Sequence, residues 1–279
     1  MRIVRSVEEV RAAVREAPRP VGLVPTMGAL HAGHLALIEQ AARDTAFVVV
    51  SLFVNPTQFD EQSDLAAYPR DEQRDAELAE RAGGDLLFAP PVEAVYPRGF
   101  ATTVSVGGLR EPMEGAIRGA SHFDGVATVV TKLLNMVGPD VAYFGQKDAQ
   151  QLVVIRRLVR DLDIPVRIEA VPTVREQDGL ALSSRNVRLS GPDRERAVAL
   201  SHALRAAEQA IAAGERDARA IHARALRALT DFGVEPEYLE LVSPESLEPV
   251  TTVNGRVLVA VAARVGGTRL IDNTLVTTT

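Results

Sequence analysis

The chain has 279 residues, 46% hydrophobic and 24% charged, with a net charge of -6 and no cysteine. These values are ordinary for a globular protein of one large or two domains. They leave no electrostatic footprint for nucleic acid and exclude disulfides and thiol chemistry. No apolar stretch is long enough to span a bilayer, and Met1 to Arg5 lacks a secretory apolar region, so a cytoplasmic protein with no membrane partner is expected. Of the 31 basic residues only Lys132 and Lys147 are lysine, so 29 are arginine. A lysine kept inside a glycine-flanked loop of such a chain is conspicuous.

Ser6-Val7-Glu8-Glu9 matches a capping box, predicting a helix to about Ala17 that Pro18 and Pro20 close. Val21 to Val24 is a short apolar run of buried-strand type, and Pro25 stops it. A loop, Thr26-Met27-Gly28-Ala29-Leu30, leads to His31-Ala32-Gly33-His34. From Leu35 the apolar residues Leu35, Ile38, Ala41 and Ala42 fall at helical spacing. Two histidines three apart therefore sit where a loop feeds the start of a helix. Backbone N–H groups and the positive helix end collect there, which suits an anion such as a phosphate. Gly28 and Gly33 let backbone approach a ligand where a Cβ would clash. A protonated imidazole there would stabilise negative charge growing on phosphate oxygens. The competing readings are histidines that only cap or pack, and a structural zinc site, which would want further ligands.

Phe47 to Val54 is a continuous β-branched apolar run, the pattern of a strand covered on both faces. It ends in Asn55-Pro56-Thr57-Gln58-Phe59, at the carboxyl end of a strand, where ligands bind in open α/β sheets. Asn55 and Gln58 are uncharged amides able to donate and accept. Tyr68-Pro69-Arg70 opens a charged helix to about Ala82, closed by Gly83-Gly84; Asp75 in it is expected on a solvated face. Asp85 to Ala89 reads as a strand and Ala101 to Val106 as a further one, with proline- and glycine-bearing loops around them. Arg118 to Gly125 reads as a polar loop whose His122 either lines the site or shapes the loop. Val126 to Val137 has helical spacing.

Asp140 to Phe144 is a strand running into Gly145-Gln146-Lys147-Asp148 and then a helix over Gln150 to Asp161. This is again strand, glycine loop, helix, and a lysine in it acts as a point charge on phosphate, against the alternative of a surface lysine. Val166 to Val171 closes an alternation of strands and helices that argues a Rossmann-like, doubly wound parallel sheet over residues 1–173. Thr173 to Asn186 is polar and reads as flexible. Helices over Pro192 to Ala213 and Asp217 to Asp231, then strands over Glu237 to Val242, Arg256 to Ala262 and Leu270-Ile271, predict a smaller C-terminal α+β domain, 174–279.

The string Pro25 to His34 resembles the HxGH signature of the nucleotidylyltransferase superfamily and, within it, the pantothenate synthetases. Phe53 to Phe59, Gly145 to Gln151 and Ala181 to Asn186 are similar to further motifs of that family, in the same order. The resemblance implies ATP binding by Met27, Gly28, Ala29, Leu30, His31, Ala32, Gly33 and His34. It implies the same for Gly145, Gln146, Lys147 and Asp148, and for Val174, Leu182, Ser183, Ser184 and Arg185. His34, His31 and Lys147 are the implied catalytic groups, and Gln58 and Gln151 the implied substrate-binding amides. Two hydroxyls and a guanidinium at Ser183-Ser184-Arg185 suit phosphate oxygens.

The implied reaction joins pantoate and β-alanine through a pantoyl adenylate, with Mg²⁺ arriving on ATP and Asp75 a candidate near the metal. A homodimer is implied as well. Gln146 stands where the family usually has glutamate, and Ala32 where glutamate is common. The alternatives are another HxGH nucleotidylyltransferase and a catalytically silent nucleotide-binding subunit.

Overall fold

The computed structural model describes residues 1–59, 65–66 and 68–278. Its contacts divide the chain into two compact units, Met1–Gly145 with Val154–Pro172, and Gln146–Val153 with Thr173–Thr279. Residues 146–153, on the N-terminal side of the expected boundary at 173, thus group with the C-terminal part of the chain.

In the first unit, β1 (Arg2–Val4) precedes α1 (Val7–Glu16). Ser6 Oγ accepts from Glu9 N at 3.2 Å, and Glu9 Oε2 accepts from Ser6 N at 2.9 Å, so the capping box forms. Next come β2 (Val21–Thr26), α2 (Ala32–Asp44), β3 (Phe47–Leu52) and a 3-10 turn at Pro56–Gln58. They are followed by α3 (Glu72–Arg81), β4 (Leu86–Phe88), α4 (Val92–Val95), α5 (Glu114–Arg118), α6 (Ala120–Val137) and β5 (Val141–Gly145). Then α7 (Ala149–Asp161) leads to β6 (Arg167–Val171).

The sheet runs β1-β4-β3-β2-β5-β6, every pair parallel. From β2 the chain winds outward through β3 and β4, then crosses to β5 on the other side of β2. That reversal is a topological switch point, where open α/β sheets bind ligands. The β-branched runs supply its core: Val24, Val49, Val50 and Tyr143 are fully buried.

Two expectations fail here. Ala101 to Val106 forms no strand; its Val104 N instead donates to Thr128 Oγ1 of α6 at 2.9 Å. Residues 118–125 are helical apart from Gly119 (φ 84°), which separates α5 from α6, and Gly125 lies inside α6. β1 was not foreseen: three residues are too few for a periodicity signal, and its hydrogen bonds to β4 make it a strand.

The second unit holds a 3-10 turn at Ser184–Arg188, then α8 (Gly191–Ala197), α9 (Ala199–Ala212) and α10 (Ala218–Thr230). An antiparallel sheet of β7 (Pro236–Val242), β8 (Arg256–Val265) and β9 (Thr268–Thr277) completes it, in the order β7-β8-β9. The expected helix over 192–213 is two helices, broken at Val198. Ala199, Ala203, Ala207 and Ala210 of α9 are buried in a core with Ile221 and Leu229 of α10 and Val259 and Val261 of β8.

Candidate functional site

Gly28 (φ 87°) and Ala29 (φ 52°) both take the left-handed region in the loop after β2. A Cβ at Gly28 would lie 2.8 Å from Leu52 Cδ1 and 2.9 Å from Asp75 Oδ2. Ala29 has no such freedom, so something must hold it there. Asp75 of α3 does so: Oδ2 accepts from Ala29 N and Oδ1 from Leu30 N, both at 2.8 Å. Asp75 is 1% exposed, not on a solvated face as expected. The helical charge pattern around it is correct, but a buried carboxylate becomes tolerable when it satisfies two backbone donors.

His31 caps α2, its Nδ1 accepting from Gly33 N at 3.1 Å. His34 Nδ1 accepts in turn from His31 N at 3.4 Å, and the two rings lie 4.1 Å apart between centroids. An imidazolium could not accept these bonds, so the arrangement is that of neutral rings with the proton on Nε2. With Nδ1 accepting, the donor that each neutral ring offers is its Nε2–H. The capping reading holds for His31, through Nδ1.

After β3, Asn55 is 1% exposed and organises the turn. Its Oδ1 accepts from Tyr96 Oη at 2.8 Å and Thr57 Oγ1 at 3.0 Å; burial pushes the Tyr96 phenol up, which keeps it a donor. Its Nδ2 donates to Gln58 Oε1 at 3.0 Å and to Gly125 O at 3.2 Å. Asn55 thereby orients the Gln58 amide, whose nitrogen is a donor of the polarity an anionic or hydroxyl oxygen requires. Arg118 Nη1 lies 3.1 Å from His122 Nε2, and His122 Nδ1 lies 3.1 Å from Gln58 O. Arginine only donates, so Nδ1 carries the His122 proton and donates to the Gln58 carbonyl. Gly125 brings α6 onto the same turn, since a Cβ there would clash with Thr57 O.

In the second unit, Lys147 lies in the loop before α7, and Gln151 in the first turn of that helix. The other lysine, Lys132, sits over the Phe100 ring in the first unit, 4.5 Å from its centroid. The stretch 173–186, expected to be flexible, is a hydrogen-bonded hairpin. Leu182 N donates to Val174 O at 2.9 Å, Glu176 N to Leu180 O at 2.8 Å, and Gly179 takes φ 95°. Asn186 and Arg194 bind the Glu176 carboxylate from either side, at 3.0 and 2.6 Å. Ser183 Oγ accepts from Arg185 N at 3.2 Å, starting the 3-10 turn. Lys147, Ser183 and Arg185 line one cleft of this unit together with Arg269 and Asp272.

Arg269 and Asp272 carry no motif, and sequence reasoning missed them. The structure marks the second of them: along β9 the in–out alternation breaks at Asp272-Asn273, where two successive polar residues are both buried. Among the described residues no group of three or more His, Cys, Asp or Glu side chains could hold a metal ion, and both Asp75 oxygens are taken by backbone N–H. This donor set fits a cation carried by a ligand's phosphates and water better than one held in a protein cage. No helix among the described residues is long and apolar enough to cross a membrane.

Residues 2–275 match the family model described as pantoate-beta-alanine ligase. The pantothenate synthetase of Herpetosiphon aurantiacus is 52% identical over 275 residues, covering 98% of this chain and 99% of that one. That of Rhizorhabdus wittichii is 53% identical over 277 residues, covering 98% of each. The crystal structure of the Thermus thermophilus pantothenate synthetase superposes with a TM-score of 0.91 at 51% identity, covering 98% of this chain and 99% of that one. The pantoate-beta-alanine ligase of Francisella tularensis, described as complexed with beta-gamma ATP and beta-alanine, gives a TM-score of 0.78 at 33% identity, covering 99% and 97%.

Proposed function

The chain belongs to the pantoate-beta-alanine ligase family, and from that premise we propose that it condenses pantoate with β-alanine using ATP. A pantoate carboxylate oxygen attacks the α-phosphorus, the α–β anhydride bond breaks, and pyrophosphate leaves. The β-alanine nitrogen then attacks the acyl carbon of the pantoyl adenylate. The acyl C–O bond breaks, AMP leaves, and the amine proton passes to solvent. Positioning and charge stabilisation suffice for the first step, and no side chain need be a nucleophile.

In this reading the loop of Met27 to His34 and the Lys147 and Ser183-Ser184-Arg185 segments meet the nucleotide, with Nε2–H of His31 and His34 donating to phosphate oxygens. Mg²⁺ enters with ATP and neutralises phosphate charge. Gln58 and Gln151 receive pantoate. The observation that carries the choice of acceptor is the turn after β3. It offers Gln58 as an amide donor, locked by Asn55 and His122. A nucleotidylyltransferase loading a phosphate-bearing acceptor would need a basic pocket instead. Retention of both histidines, Lys147 and Arg185 speaks against a silent subunit.

The test follows AMP and pyrophosphate under multiple turnover with ATP, Mg²⁺, pantoate and β-alanine. AMP should accumulate only when both acids are supplied. ADP as the product would rule out adenylate formation.

Residues 174–279 are proposed to act as a lid. Protease sensitivity of 173–190 that is the same with and without ATP would count against this. A cytoplasmic homodimer, as the family resemblance implies, completes the reading. A monomeric mass in sedimentation would refute the dimer.

A further inference from the structure

We infer that the adjacent residues Asp272 and Asn273 of β9 are positioning residues for the phosphate chemistry, registering the Lys147 loop against the hairpin that carries Arg185. The inference rests on the proposed contact of Lys147 with phosphate.

Asn273 is 4% exposed, and its Nδ2 donates to Gln146 O at 2.9 Å and to Lys147 O at 2.8 Å. Both partners are carbonyls, so the nitrogen and not the oxygen of the amide must face the loop. One NH₂ group therefore ties down two successive peptide units, those on either side of the lysine Cα. The amide's other end is left unsatisfied: Asn273 Oδ1 is buried with no hydrogen-bond partner among the described residues. An unpaired buried acceptor is unfavourable, and a residue selected for packing alone would be apolar.

Asp272, 3% exposed, accepts from Arg175 Nη1 at 2.6 Å and Nη2 at 3.0 Å. Burial pushes its carboxyl up, while Arg175 and, further off, Lys147 pull it down. Arg175 pairs by backbone with Ala181, two residues before Ser183, and its Nη1 also binds Gly179 O at 3.0 Å. The carboxylate thus anchors the base of the hairpin, as the amide beside it anchors the lysine loop. β9 supplies a firm support, paired residue for residue with β8 from Thr268 to Thr277.

Lysine has a long flexible side chain, so anchoring its backbone removes freedom before the nucleotide arrives. Such pre-organisation is read in the rate of the phosphoryl step more than in ground-state affinity. Asn273 touches no reacting atom in this account; it acts through Lys147.

The test is a double-mutant cycle of Asn273→Ala with Lys147→Ala. It reads single-turnover pantoyl-adenylate formation from ATP, Mg²⁺ and pantoate, capture of supplied pantoyl adenylate by β-alanine, and ATP affinity. Asn273→Ala should slow adenylation by about 10²-fold, the effect expected for ångström-scale misplacement. It should leave capture and ATP affinity within about twofold, inside the coupling-free scatter of such cycles. In the Lys147→Ala background it should do almost nothing further. Asn273→Asp, which keeps the volume but loses the donors, should show the same selective loss and covers the case in which the alanine variant does not fold. Additive losses, equal slowing of both half-reactions, or full adenylation by Asn273→Asp would each overturn the inference. Lys147→Ala adenylating at the wild-type rate would instead remove the phosphate role of Lys147, and with it the basis of this proposal.

Discussion

The loop after β2 and the loop after β5 solve opposite problems. The histidine loop opens α2, so it presents backbone N–H groups and needs an acceptor to hold it. Asp75 supplies two carboxylate oxygens, each 2.8 Å from a backbone nitrogen. The lysine loop is held by its carbonyls, at 2.9 and 2.8 Å, and needs a donor, which Asn273 supplies. In each case the support is buried, comes from far along the chain, and has the polarity that the backbone demands. The histidine loop is held by a carboxylate. The lysine loop is held by a neutral amide, and the Asp272 carboxylate beside that amide is engaged by Arg175.

The largest expected effect tests whether the two loops serve the same step. His34→Ala and Lys147→Ala should each slow adenylation by about 10²–10³, the usual loss for one donor to developing charge. Capture of supplied pantoyl adenylate should be nearly unchanged in both. A His34→Ala enzyme equally slow in capture would show that the histidine loop works on acyl transfer, and the comparison would break.

Next in size is the acceptor support. Asp75→Ala leaves two backbone donors without partners, and hydrogen bonds to a charged group contribute about 1.5–3 kcal/mol each. Denaturant titration should show a loss of about 3 kcal/mol, with Asp75→Asn, which keeps one acceptor, losing roughly half of it. Equal stability of Asp75→Ala and wild type would mean that the loop holds its left-handed residues unaided.

Gly125→Ala probes the amide turn. Its Cβ would clash with Thr57 O, and overpacking of this kind costs about 1–3 kcal/mol. The KM for pantoate should rise more than that for ATP, because the displaced turn carries Gln58. A KM that rises only for ATP would assign this turn to the nucleotide. Smallest of all, Ser6→Ala should cost about 1 kcal/mol of stability by loss of the α1 cap and leave both half-reactions untouched. A kinetic defect in it would mean that α1 communicates with the site.

Local chemistry made much of this legible. Short apolar runs announced β2, β3 and β5, and the capping box at Ser6 formed as read. Ala101 to Val106 shows the limit, because alternation marks a candidate strand but cannot supply the neighbour that makes it one. The glycines divided similarly: Gly28 was readable as a loop residue, whereas Gly125 looked like another and proved to be a contact point between a helix and a turn.

By itself the sequence determined the parallel α/β class, the family, and the places where histidine, lysine and amide groups leave the strands. These depend on neighbours a few residues apart, which periodicity and motif spacing record. Only the tertiary structure decided which nitrogen of His31 and His34 carries the proton, that Asp75 is buried against backbone, and that Asp272 and Asn273 stand behind Lys147 and Arg175. Each is a hydrogen bond or a burial set by where separate elements pack. The lysine loop is bonded to a strand some 126 residues further along the chain, a separation across which sequence spacing carries no trace.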